Sequence, residues 1–163
     1  MKQEAENARN MERSKPPSTE TRKKMEVGSL DEFDMAYFRQ LEGADGWIAL
    51  GQGNCHNQKY FTVLSDVGEK LGIVGVYDTD DEQNITHTIV DPKFRGQGLA
   101  FAFKKKLMDQ VGLDSITLTI DLDNAASIKA AEKIPGIKKI SDEAYEKEYH
   151  KAKYGYAKPN DEK

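Results

Sequence analysis

The chain has 163 residues, the size of one ordinary domain. Hydrophobic residues make up 37% and 13 glycines add to them, close to the globular fraction, which excludes a wholly disordered chain. No apolar run approaches the roughly 18 residues of a membrane span. The first 25 residues lack the apolar core of a secretory signal, and Glu4, Glu6, Glu12 and Glu20 argue against an acid-poor transit peptide. The expectation is a soluble, cytoplasmic protein without a membrane partner. Cys55 is the single cysteine, so neither an intrachain disulfide framework nor a thiolate metal cluster is expected.

The formal net charge is −4, unevenly spread. Residues 1–27 hold seven basic and five acidic side chains, which leaves 17 basic and 23 acidic in the remainder. Affinity for a phosphate backbone comes largely from Lys and Arg, so an acidic body disfavours nucleic acid and suits a cationic small molecule or a lysine-bearing target.

In chain order, residues 1–27 are polar, contain Pro16-Pro17-Ser18-Thr19 and read as a flexible arm. A helix is expected from Ser29, with Glu32 completing a capping box and Leu30, Phe33, Tyr37 and Leu41 as its buried stripe; Gly43 and Gly46 end it. Lys59–Leu64 and Leu71–Tyr77 read as strands around an Asp66–Glu69 turn, and Ile85–Val90 as a third strand stopped by Pro92. Leu99, Phe103, Leu107 and Val111 recur at i, i+4 steps, an amphipathic helix with Lys104 to Lys106 turned to water. Ser115–Asp123 alternates as a half-buried strand. Asn124–Ile134 is an alanine-rich helix ended by Pro135-Gly136. Ile137–Ile140 and Lys153–Ala157 close the sheet, with a polar, partly helical Ser141–Lys151 between them. The fold class is therefore α/β or α+β, a mixed sheet with helices on its faces. The folded domain spans 28–158 and a short tail follows at 159–163.

The stretch Ile85–Phe101 reads as strand, proline stop, basic residue, two glycines and helix start. Such a sequence builds an anion site: glycines let backbone approach a ligand, and the helix N-terminus offers unpaired amides and a partial positive charge. Arg95 and Lys93 would stand beside it. A Walker loop is excluded because Leu99 and Ala100 follow Gly98, and a dinucleotide fingerprint because Phe101 stands at its third small residue. Gly51-Gln52-Gly53 reads as a loop.

Arg95-Gly96-Gln97-Gly98-Leu99-Ala100, placed after Val90-Asp91-Pro92, resembles the Arg/Gln-x-x-Gly-x-Gly/Ala phosphate loop of the GCN5-related N-acetyltransferase superfamily. Asn124, opening the helix after the next strand, resembles that family's second landmark. The resemblance covers about residues 28–158 and implies a mostly antiparallel sheet with helices on both faces. It also implies acetyl-CoA as co-substrate, in a cleft where two parallel strands splay apart. It implies Thr88, Ile89 and Val90 on the pantetheine arm and thioester, Gly96, Gln97, Gly98, Leu99, Ala100 and Phe101 on the pyrophosphate beside Arg95, and Asn124 on the lower arm. No metal is implied.

By the same resemblance, three usual catalytic positions are occupied by Asn84, Thr119 and Ala131, none of which is an acid or base. His87 is then the candidate base, with packing under a helix as its equal alternative. Tyr145, Tyr149, Tyr154 and Tyr156 offer phenols in the closing segment, of which Tyr145 and Tyr149 are kept as candidates although sheet packing is the favoured reading of each. Asp78, Asp80, Asp81 and Glu82 form either a cation-attracting cluster or a solvated turn. Cys55-His56 is a nucleophile pair on paper only. The expected activity is acetyl transfer from acetyl-CoA to a primary amine by direct attack, the acceptor being a small molecule or a protein lysine. A non-catalytic acyl-CoA-binding module and a toxin acting on charged tRNA are the rivals. A homodimer stays open.

Overall fold

The computed structural model describes residues 24–42, 44 and 55–159. The elements in chain order are β1 (Val27–Glu32), α1 (Met35–Gln40), β2 (His56–Ser65), β3 (Lys70–Asp78), β4 (Ile85–Val90), a 3-10 turn (Pro92–Phe94), α2 (Leu99–Val111), β5 (Ser115–Asp121), α3 (Ala125–Glu132), β6 (Ile137–Lys139), α4 (Glu143–Tyr149) and β7 (Lys151–Ala157). The seven strands form one sheet in the order β1-β2-β3-β4-β5-β7-β6, antiparallel except for β4 beside β5.

The first element corrects the sequence reading. Ser29 to Glu32 is an edge strand, paired with β2 from Val27 opposite Ser65 to Glu32 opposite Phe61, and not the start of a helix. A capping box is a local preference, and ladder bonds to a distant hairpin outweigh it. The helix starts six residues later, where the Asp34 carboxylate accepts from the Tyr37 amide at 3.0 Å. The folded part also begins earlier than expected, because Met25 is only 4% exposed in the core under α2. Residues 1–23, Gly43, Gly46 and Gly51 to Gly53 lie outside the described residues.

The sheet separates two apolar layers. On one face, Leu99, Phe103 and Leu107 of α2 pack on Val63, Val74 and Val76, and Met108 joins Ile116, Leu118, Tyr154 and Tyr156. Ile134, just past α3, packs into this second cluster, which brings the end of α3 to the same face as α2. On the opposite face, Phe38 and Leu41 cover Ile73 and Ile89. Lys153, which alternates with the buried Ala152 and Tyr154, lies 4.7 Å from the Tyr145 ring centroid, which brings α4 to that same opposite face.

β4 and β5 are joined only at one end. Ile85 opposite Thr117 is their sole register pair. Around it the Thr117 amide donates to the Asn84 carbonyl at 2.9 Å, the Thr86 hydroxyl to the Thr117 carbonyl at 2.9 Å, and the Asn84 side-chain amide to the Ser115 carbonyl at 3.2 Å. Beyond this clasp the strands part, and among the described residues the rest of β4 has no ladder partner on its β5 side.

Candidate active site

β4 ends where the Asp91 carboxylate caps the 3-10 turn, accepting from the Lys93 amide at 3.0 Å. Asp91 is buried and also accepts from the Tyr37 hydroxyl at 2.8 Å. Burial, then the Asp91 carboxylate, raise the Tyr37 phenol well above its ordinary pKa. Gly96 and Gly98 follow with φ of 86° and 72°, the left-handed region that glycine tolerates best, and a Cβ on either would meet nothing within 4 Å. Both therefore face open space. Gly98 caps α2 without any side-chain bond, so the first amides of a 13-residue helix point out unpaired within it. Beside this cradle runs a groove of about 470 Å³, whose lining includes Gln97, Gly98, Lys24, Lys105 and Lys106, with Glu26 and Asp109 as its two carboxylates. This donor set fits a diphosphate.

Two loop side chains are engaged elsewhere. Arg95 donates through Nε to the Val90 carbonyl at 3.1 Å and through Nη2 to the Glu42 carbonyl at 3.1 Å, with Nη1 3.5 Å from the Glu42 carboxylate. Gln97 accepts from the Met25 amide at 2.8 Å, fastening the chain entering β1 to the loop.

The unpaired edge of β4 has a definite phase. The Asp91 amide donates to the Leu71 carbonyl at 2.8 Å, and alternation along an antiparallel pair turns the backbone groups of Ile89 and His87 toward β3 as well. Thr88 and Val90 are thus the residues whose backbone faces the gap, and Ile89 is not. The Ile89 side chain instead enters the cluster under α1. Asn124 stands past the far end of β5 as the N-cap of α3, its side-chain oxygen accepting from the Ser127 amide at 3.2 Å.

Lys104 departs from its expected place in water. It is 7% exposed, on the sheet-facing side of α2, and its Nζ donates to the Thr88 hydroxyl at 3.1 Å. Burial pulls its pKa down to about 8. The run Lys104 to Lys106 reads as a solvated face, but Lys104 shares an i, i+4 row with the buried Met108. That row, one step round from Leu99, Phe103 and Leu107, was the available signal.

The opposite face of β4 carries His87, whose Nε2 lies 3.2 Å from the Tyr77 hydroxyl, the rings meeting edge to face at 5.2 Å. Burial first, then the charges of Lys104 and Lys151, push His87 down to about 4, so its ring is neutral at pH 7. Burial, then neighbours that include Cys55, Tyr60, Glu82 and Tyr145, push Tyr77 up to about 12. Lys153 bonds to Glu82 beside Tyr145. Burial alone would lower the Lys153 pKa, but Glu82 and Tyr145 hold it above the ordinary value. His87 and Tyr145 therefore share this face. Tyr149 is 54% exposed, and its ring meets that of Tyr145 at a tilt, 4.7 Å between centroids.

The remaining candidates have structural duties. Asn84 clasps β4 to β5 at a φ of 57°, Thr119 lies opposite Lys153 in the β5–β7 ladder, and Ala131 is buried in α3. Asp78 accepts from the Asn57 side chain at 2.8 Å and from the Asn84 amide at 2.8 Å, while Asp80 is 2.7 Å from His56. With Glu82 bonded to Lys153, the acidic turn is largely spent on its own structure. His56 faces Asp80, and Cys55 packs by Tyr77 and Ile85.

Residues 18–135 match the family described as "Acetyltransferase (GNAT) domain". An L-2,4-diaminobutyric acid acetyltransferase from Vibrio parahaemolyticus is 35% identical over 78 residues, a segment covering 44% of this chain and 43% of that protein. The chain thus matches less than half the length of that relative. Among solved structures, a chimera of a Vibrio cholerae spermidine N-acetyltransferase superposes with a TM-score of 0.58 at 12% identity, over 83% of this chain and 96% of that one. The Vibrio cholerae spermidine N-acetyltransferase in complex with CoA and spermine gives 0.52 at 13% identity, over 80% and 95%. At such identities the likeness is one of fold. Among the described residues no helix is long and apolar enough to cross a membrane.

Proposed function

Because the chain belongs to the GNAT acetyltransferase family, we propose that it transfers an acetyl group from acetyl-CoA to the primary amine of a small molecule. The observation that carries this reading is the continuity of the β4–β5 gap with the glycine loop. Thr88 and Val90 present backbone groups along the gap, and the amides opening α2 stand at its end. One extended ligand with a polar, amide-bearing arm and a diphosphate would satisfy both. Thr88 and Val90 would hold the arm and thioester, the Gly96–Phe101 segment the diphosphate, and Asn124 the lower arm. Arg95 would join by releasing Glu42.

The acceptor would approach from the face of His87, Tyr77 and Tyr145. An ammonium ion must lose a proton before it attacks, and His87 at about 4 is too weak a base to hold that proton at neutral pH. The same environment works on the substrate. Burial beside Lys104 and Lys151 disfavours a positive charge on the acceptor as it does on His87, so the proton passes more readily to water. His87 and Tyr77 would then orient the free amine, and backbone donors along β4 would stabilise the developing oxyanion. Tyr145 would close the acceptor side. The diaminobutyrate and spermidine enzymes named above both have small amines in their names, which favours a small acceptor over a protein lysine.

The test is thiol release from acetyl-CoA with 2,4-diaminobutyrate, spermidine and a lysine peptide as acceptors. Turnover with either small amine above the rate with water supports the reading. Binding of acetyl-CoA with no turnover on any amine would favour the non-catalytic module, and absence of binding would remove both.

A further inference from the structure

Lys104 is a buried cation to which the acetyl-transfer reading gives no more than a background charge. Its side chain has one hydrogen-bond partner among the described residues, the neutral Thr88 hydroxyl, and no carboxylate within ion-pairing distance. An ammonium has three donors, and holding it in an apolar interior is costly unless an anion comes to it. Nearby positions on the same helix face are taken by Leu99, Phe103, Leu107 and Met108, so an apolar residue would suit Lys104's place better for folding alone.

Position gives the missing partner. The Thr88 side chain points to α2 and touches Nζ, while the Thr88 backbone faces the β4–β5 gap. Lys104 therefore lies on the α2 side of β4, with Nζ at the level of Thr88. Resting on the reading above, we propose that Lys104 pairs with the sulfur of CoA, stabilising the thiolate as it leaves and returning a proton to it. In that step the acceptor nitrogen forms its bond to the acetyl carbon and loses a proton to water. The carbon–sulfur bond breaks with its electron pair on sulfur. Lys104 passes one proton to the thiolate and regains one from solvent. This gives the leaving group the acid that Ala131 cannot supply at the family's usual position.

Among the described residues, no carboxylate pairs with Lys104 to compensate its charge. Facing α2 are Val27 and Leu30 of β1, Gly72, Val74 and Val76 of β3, and Thr86, Thr88 and Val90 of β4, none of them ionisable at neutral pH. His87, on the other side of β4, is neutral there. Lys105, Lys106 and Asp109 of α2 line the outer groove, and Lys151 of β7 adds a further positive charge near His87.

The test titrates the thiol of CoA bound to the full chain, read by the ultraviolet absorbance of the thiolate, in the wild type and in Lys104→Met. The expected result is a thiolate-to-thiol ratio about tenfold higher than in free CoA at a given pH for the wild type, lost in Lys104→Met. In parallel, the wild type should bind CoA more tightly than CoA lacking its sulfur atom at pH 8, and Lys104→Met should not discriminate between them. Turnover in Lys104→Met should fall in kcat with KM for acetyl-CoA unchanged. An unshifted thiol in the wild type, or an equal shift in both proteins, overturns the role of Lys104 and leaves the acetyltransferase reading standing. Failure of the wild type to bind CoA at all overturns both.

Discussion

Replacing Lys104 by Met should make the protein more stable at neutral pH. Burial takes the Lys104 ammonium from its ordinary 10.5 to about 8, and each pH unit is worth about 1.4 kcal/mol, so folding with the charge inside costs on the order of 3 kcal/mol. Losing the hydrogen bond to Thr88 returns about 1 kcal/mol of that. The net gain is about 2 kcal/mol, or roughly 4–8 °C in Tm for a chain of this length. The sign with pH follows from linkage. Between pH 8 and 10.5 the unfolded chain holds the Lys104 proton and the folded one does not, so this group makes wild-type stability rise with pH there. Subtracting the Lys104→Met curve removes the titrations both proteins share, including those of Tyr77 and the other lysines. Urea unfolding at half-unit steps from pH 7 to 10.5 would show the difference shrinking as pH rises. A variant less stable than wild type at pH 7, or a pH-independent difference, would refute the burial argument.

Three further outcomes follow from single contacts. Gly72→Ala should destabilise by about 3 kcal/mol or more, because its Cβ would sit 2.0 Å from the Ile89 carbonyl oxygen and 2.8 Å from the Phe103 ring at a φ of +153°; an unchanged urea midpoint would contradict this. Glu42→Ala should tighten acetyl-CoA binding up to about fivefold by releasing the Arg95 guanidinium from an exposed pair, measured by calorimetry, and weaker binding would speak against Arg95 as a phosphate ligand. His87→Gln should flatten the loss of stability below pH 6.5. Burial keeps the folded ring unprotonated down to about 4 while the unfolded chain takes up its proton near 6.5, so acid favours unfolding of the wild type; an equally steep profile in the variant would count against this.

The parts of the fold set by local periodicity were legible in the sequence. Alternation marked β5, Pro92 marked the end of β4, and the i, i+4 row marked α2. What escaped depends on distant partners. Ser29 to Glu32 carries a capping box, yet its ladder runs to residues more than 28 positions away. Arg95 meets Glu42 across 53 residues and Gln97 meets Met25 across 72, so neither tie leaves a local pattern. Thr88, Val90 and the glycine loop could be proposed from motif spacing. The exclusion of Ile89 required the phase of the β3–β4 ladder, which sequence alone does not fix. Lys104 was hidden by its neighbours, since three successive lysines read as solvent-facing although a helix turns them through some 200°, about 100° per residue.

Acetyl-CoA binding in the gap is the claim on which the rest depends, and thermal unfolding with and without the ligand, on the wild type and on Ala100→Asp, tests it most directly. A carboxylate in the first turn of α2 complements the helix dipole, so it should leave the free protein folded and no less stable while repelling a diphosphate. The wild type should gain about 2.7 kcal/mol of stability at 100 times Kd, and the variant little or none at the same ligand concentration. Equal stabilisation of both proteins would move the ligand away from the glycine loop, and no stabilisation of the wild type would contradict the acetyltransferase reading itself.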